Sequence, residues 1–206
     1  MSVTTSSYFW RCGSGAFLNP HGGDLKGVDD PFKRMSKFPD LLGQSGYHTA
    51  KSGKTILFTP TPTSKKERDL PKYSDKFPRY GLYVSEGKDE AERQARHDTV
   101  IKRTRHELQK AMRGTPEGKP FFFIFGPINI HRPYVADSGE KLWDLHPNKL
   151  KGLIPKFLPD VPDVRRDFAD YLGEVLALDL MLGVMLEELE QSGQLDNTLI
   201  ILSGDH

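Results

Sequence analysis

The feature that most restricts how this chain can fold is a long one-faced apolar pattern in its last third, followed at once by an uninterrupted apolar run. Val164, Phe168, Tyr171, Val175, Leu178, Leu182, Met185 and Leu189 recur at alternating spacings of four and three, which places them on one face of a helix. Asp163, after Pro162, is placed to cap that helix and Gly193 to stop it, so the pattern predicts a helix over 163–192. Leu195-Asp196-Asn197 then reads as a turn, and Thr198 to Leu202 as a short strand buried on both faces. The same grammar recurs upstream. Asp98 can cap a helix carrying Ile101, Thr104, Leu108 and Met112 to a stop near Gly114, and a loop leads from it to a buried strand, Phe121 to Phe125. A third copy has a short helix over Phe38 to Gln44, a turn at Ser45-Gly46, and a strand from Tyr47 to Ser52 ending at Gly53-Lys54. Alternating helix and buried strand predicts an α/β fold with a central, mostly parallel sheet flanked by helices.

Two stretches break the alternation. Residues 55–92 are dense in Pro, Lys, Asp and Gly, and residues 134–162 carry Trp143, His146 and several prolines. Both read as irregular excursions, and loops of that length in a compact α/β domain usually line a substrate cleft. Charge narrows the partners. Lys and Arg number 29 against 28 Asp and Glu, which lacks the same-sign surplus of a nucleic-acid binder. The only cysteine, Cys12, excludes an intrachain disulfide framework. No run reaches the roughly 18 apolar residues of a membrane span, and no signal peptide is visible at Met1 to Ser7.

In an open parallel sheet, ligands bind beyond the carboxyl ends of the strands. Each expected strand ends in a residue able to do polar chemistry: Lys54, His131, and Asp205 with His206. Taken singly, each is more often a solvated loop residue; together they mark one edge. Two tempting motifs fail. His48 stands where a phosphate-binding loop ending in Gly53-Lys54-Thr55 needs its leading glycine, and Lys110 stands where a zinc-protease helix starting at His106-Glu107 needs its second histidine. At the amino end, Ser7 and Arg11, with Pro20-His21 beyond, read either as an anion site at a helix start or as an ordinary polar turn.

The order of these elements resembles the sulfatase family of the alkaline-phosphatase-like superfamily, nearest to its N-sulfoglucosamine sulfohydrolase and iduronate-sulfatase-like members. The most specific segment is Gly193-Gln-Leu-Asp-Asn-Thr-Leu-Ile-Ile-Leu-Ser-Gly-Asp205-His206, joined by Phe121 to His131-Arg132-Pro133 and by Pro39 to Lys54. The resemblance implies an alkaline-phosphatase-like core and hydrolysis of a sulfuric ester or sulfamate on a sulfated saccharide. It makes Asp205 and His206 metal ligands, gives His131 a contact with the sulfate or leaving group, and gives Lys54 the sulfate oxygens. Ser7 falls where the family carries formylglycine, a further metal ligand, with Arg11 four residues on. Ca²⁺ is then the implied cofactor, and a formylglycine-generating enzyme the implied maturation partner. The cation would acidify the nucleophile while cationic side chains absorb charge on the transferring group.

Family members begin with a strand ending in paired aspartates and continue past the Asp-[Asn/His] step. The chain is therefore expected to be a partial N-terminal catalytic domain over 1–206, incomplete at both ends and inactive as this fragment. The family setting is periplasmic, secreted or lysosomal. Two other readings stay open: a phosphoryl-transfer relative using unmodified Ser7, and a non-catalytic sulfosaccharide-binding or vestigial protein.

Overall fold

A computed structural model describes residues 35–53, 89–127 and 129–204. Ser7, Arg11, Lys54, Asp205, His206 and the stretch 55–88 lie outside the described residues. The chain divides into two compact units, Met1–Asp69 with Ala111–Gly126, and Leu70–Lys110 with Pro127–His206.

In the first unit, α1 (Phe38–Gln44) carries Pro39 in its first turn, where a missing N–H costs no helical bond. It stops because Gly46 adopts φ +95°, which lets Gly46 N–H donate to Gly43 O at 3.1 Å and Tyr47 N–H to Leu42 O at 3.0 Å. β1 (His48–Gly53) and β2 (Phe121–Gly126) form a parallel pair, in register from His48 opposite Phe121 to Gly53 opposite Gly126. The chain thus leaves both strands at the same level. Phe38 meets Phe122 edge-on at 5.1 Å, tying α1 to β2. The strands stand where the pattern put them, but β2 is half-buried rather than buried. It has a single paired neighbour among the described residues, so its rings are covered less completely than those of a central strand.

The second unit differs from expectation in five places. Helix α2 (Glu90–Gly114) starts eight residues before Asp98. Asp98 lies inside it, accepting from Gln94 Nε2 at 2.9 Å. The preceding residues are mostly Ala, Glu, Gln and Arg, whose helix propensity needs no apolar period. The stretch 134–162 is not wholly irregular, since α3 (Ser138–Trp143) and a 3₁₀ turn, Pro147–Leu150, lie within it. Helix α4 (Pro162–Gln191) has Val161 rather than Asp163 at its N-cap position, with no side-chain capping bond, and Asp163 sits in its first turn. It ends as expected at Gly193, with φ +69°.

The fourth difference concerns which face of α4 is buried. Of the eight apolar residues of the pattern only Leu189 is buried, and the others are half-buried. The buried stripe runs beside them through Arg165, Ala169, Gly173, Ala177 and Met181. Small residues take the middle of this stripe because α3 comes so close there: a Cβ on Gly139 would lie 2.1 Å from the Ala169 carbonyl oxygen, and one on Gly173 would lie 2.9 Å from Trp143 Cδ1. Leu150, Ile154 and Ala169 form the small core beneath, with Leu145, Val164, Phe168 and Leu172 against it. At the far end, Leu195–Asn197 is the expected turn. Thr198 to Leu202, however, is not a buried strand: Leu199 is 86% and Ile201 79% exposed. A strand exists only where a neighbour takes its backbone hydrogen bonds, and no described strand pairs with this run.

The packing predicts opposite outcomes for two glycine-to-alanine changes. Gly139→Ala should destabilise the chain by about 2–3 kcal/mol, because its methyl meets backbone that cannot step aside. Gly183→Ala, in the interior of α4 with open space at its Cβ, should be stabilising by about 0.5–1 kcal/mol. Urea unfolding of both variants checks this, and equal losses would refute the close α3–α4 contact.

Candidate active site

Beyond β2 the chain turns through Pro127 and Asn129 into His131, Arg132 and Pro133, with a cis Arg132–Pro133 peptide bond. Three side chains fasten this loop to α4. Asn129 Nδ2 donates to the Glu174 carbonyl at 2.5 Å. The Arg132 guanidinium grips Asp167 with both terminal nitrogens, Nη1 reaching Oδ1 at 2.7 Å. The Tyr134 ring lies 6.1 Å from Tyr171, which packs 5.6 Å from Phe168. The loop also closes on itself, since Tyr134 O–H donates to Ile130 O at 2.9 Å and Arg132 sits 4.8 Å over the Tyr134 ring.

These contacts leave His131 exposed between fixed neighbours. Its Nδ1 lies 2.6 Å from the Arg132 carbonyl oxygen, which can only accept, so Nδ1 carries the proton. Nε2 is then the atom presented to a solute, a base when the ring is neutral and an acid when it is protonated. The Arg132 guanidinium, hydrogen-bonded to Asp167, is held more firmly protonated than usual. Tyr134 is pushed up by burial, against the pull of Arg132.

Behind the loop α4 carries two buried carboxyls. Asp170 accepts from Gly139 N–H at 2.9 Å and Asp137 N–H at 3.1 Å, anchoring the start of α3. Burial raises its pKa and those two N–H groups pull it back. Glu174, one turn on and 3% exposed, is pushed up to about 7 by burial; the Asn129 amide opposes that rise and the charge of Asp170 adds to it.

Of the residues expected in the site, His131 is the one that lies among the described residues, within the loop that follows β2 in the chain. Ser7, Arg11, Lys54, Asp205 and His206 lie outside the described residues, and among the described residues no three His, Cys, Asp or Glu come together to hold a metal ion. Sequence reasoning missed Asn129, Asp167, Asp170 and Glu174. A signal existed, because 167, 170 and 174 recur at helical spacing directly beside the apolar face.

The sulfatase family model matches residues 10–206. A human protein named N-sulphoglucosamine sulphohydrolase is 37% identical over 101 residues, which cover 49% of this chain and 19% of that protein. An ulvan-active sulfatase of Formosa agariphila is 38% identical over 53 residues, covering 26% of this chain and 9% of that protein. The aligned parts of the chain thus span less than a fifth of these relatives' lengths. No solved structure matches the chain significantly.

Glu174 yields a pH prediction. In the unfolded chain its carboxyl ionises near its ordinary 4.5, whereas in the fold it keeps its proton until about 7. The folded state therefore holds the extra proton in between, and stability falls as pH rises from about 4.5 to 7, by roughly 3 kcal/mol, before levelling off. Glu174→Gln should remove this slope and keep the acid-side stability at pH 8. Urea titrations at pH 5, 6.5 and 8 read the difference; parallel slopes for parent and variant would rule Glu174 out as its source.

Proposed function

The chain belongs to the sulfatase family, and from that premise we propose that it hydrolyses a sulfuric ester or sulfamate bond on a sulfated saccharide. The family match across residues 10–206 carries this reading, and the name of the human relative, which specifies an N-sulphated glucosamine, favours the saccharide class. The same family setting favours a periplasmic, secreted or lysosomal protein. No described helix is long and apolar enough to cross a membrane.

Hydrolysis breaks an S–O or S–N bond, so the departing oxygen or nitrogen needs a proton and the sulfuryl oxygens need positive charge. His131 is suited to supply the proton. Its Nδ1 is committed to the Arg132 carbonyl, so Nε2 can deliver a proton outward from a loop held at both ends. By family resemblance Lys54 would neutralise sulfate oxygens and Arg11 would stand beside the nucleophile at Ser7, carried as formylglycine. Asp205, His206 and the converted Ser7 would hold Ca²⁺, which supplies positive charge to the nucleophile and the sulfuryl group.

In a completed version of the catalytic domain, His131→Ala should lower kcat/KM on an aryl sulfate, assayed with Ca²⁺, by about 10²-fold or more. His106→Ala, on α2, should stay within about twofold at matched thermal stability. Similar small losses in both variants would remove His131 from the chemistry. Peptide mass spectrometry after coexpression with a formylglycine-generating enzyme should show a loss of two hydrogens at Ser7 in only a minor part of the chain, because Phe9 stands where the family pattern has Pro or Ala, and the Phe9→Pro variant should convert more completely. Turnover of a phosphate ester with Ser7 unmodified would favour phosphoryl transfer instead, and saccharide binding without turnover would favour a binding protein.

A further inference from the structure

The loop between the 3₁₀ turn and α4 holds large apolar side chains in water although its backbone is tied down. Leu150 and Ile154 are buried at its base. Leu153 N–H donates to Leu150 O at 2.9 Å, and Leu158 N–H to Pro155 O at 2.8 Å. Gly152 N–H donates to the Asp160 carboxylate at 2.8 Å, which joins the two ends of the loop. Asp160 is held in turn by the buried Arg165, whose Nε lies 3.5 Å from Oδ1. Yet Leu153 is 69%, Phe157 86% and Leu158 38% exposed. On a loop fastened at its base and across its neck, such exposure marks a contact surface rather than slack chain. Lys151 and Lys156 belong to the same loop and are exposed. Neither forms an ion pair among the described residues. Lys149, by contrast, is turned to Asp144 at 3.7 Å, and Asp160 is already engaged by Arg165 and Gly152.

We infer that the loop 151–158 is a secondary binding surface for a sulfated saccharide, with Phe157 stacking under a pyranose ring and Lys151 and Lys156 pairing with its sulfate groups. This rests on the saccharide reading proposed above and adds to it a contact outside the sulfate-handling set. A pyranose has a face of C–H bonds and a rim of polar groups. The C–H face packs on the electron-rich face of an aromatic ring. A rim sulfate asks only for a nearby cation, which the lysine ammonium supplies as a compact point charge on a flexible stem. An exposed ring and two unpaired lysines on one fixed loop meet both needs. Two other occupants suit it less. A second copy meeting the loop across a two-fold axis would set Lys151 and Lys156 against their own equivalents. A membrane surface is held by an amphipathic helix or a larger basic cluster, whereas this chain carries 29 Lys and Arg against 28 Asp and Glu.

Titration calorimetry of the chain with a tetramer of N-sulphated glucosamine, and with its N-acetylated counterpart, tests this surface. The parent should bind the sulphated tetramer about tenfold more tightly than the neutral one, with amide NMR shifts at residues 151–158. Phe157→Ala should weaken binding about fivefold or more, and Phe157→Trp should keep it. The Lys151→Ala/Lys156→Ala double variant should weaken it about tenfold and lose most of the salt dependence. Leu199→Ala, equally exposed elsewhere, should bind as the parent does. These positions are on the surface, so all variants should fold, and matched thermal melts check that. Absence of binding by the parent, equal affinity for the two tetramers, or parental affinity in either Phe157→Ala or the lysine variant would overturn the proposal. So would a dimer, or binding to phosphatidylserine vesicles, that Phe157→Ala abolishes while saccharide binding persists. In a completed version of the catalytic domain, the expected binding pattern without sulfate-ester turnover would overturn the catalytic reading and leave this surface standing, and turnover without shifts at 151–158 would do the reverse.

Discussion

The second unit depends on how near the backbone of α3 comes to that of α4. At Gly139 there is no room for a methyl group beside the Ala169 carbonyl, and at Gly173 the Trp143 ring occupies the space a side chain would need. Backbones that close leave no water between them, so the N–H groups at the start of α3 must be satisfied from the partner helix. Asp170 does this through Gly139 and Asp137. A carboxyl buried in α4 is therefore a consequence of the close contact, and Glu174 one turn later is subject to the same dry surroundings.

From that contact the loop following β2 inherits its footing. Asp167, Tyr171 and the carbonyl of Glu174 rise along one side of α4, and Arg132, Tyr134 and Asn129 take them in turn. The loop is held on either side of His131, and the histidine is left facing solvent with one nitrogen committed and one available. A rigid mount under an exposed imidazole suits proton delivery, because a group that must reach a reacting atom within hydrogen-bond distance loses rate when its position wanders. The chain belongs to the sulfatase family, and α4 supplies the mount for this loop.

Much of this was legible in the sequence, and the limits have physical causes. The helix over 163–192, its glycine stop, the short helix at Phe38 to Gln44 and the two strands followed from periodicity and turn residues, because those signals are local. Asp98 resembles a cap because the first turns of α2 have helix propensity without apolar period, and periodicity is silent there. His131 could be singled out because a histidine after a strand is visible in one dimension. Its supports could not, because Asn129 and Glu174 are 45 residues apart and look like ordinary polar residues until they are found buried together.

By itself the sequence determined the two paired strands, the short helix at Phe38 to Gln44, the long helix of the last third with its glycine stop, and, through the Asp-Asn-Thr-Leu and His-Arg-Pro segments, which family the chain resembles. Only the tertiary structure decided which face of α4 is buried. An amphipathic pattern ranks faces by hydrophobicity, whereas packing selects the face whose side chains are small enough for α3 to approach, and here that is the side of Ala169 and Gly173 rather than the bulkier row beside them. The run Thr198 to Leu202 is the complementary case. Its composition favours a strand, but strand pairing is a contact between segments, so a single segment can be suited to it without forming it.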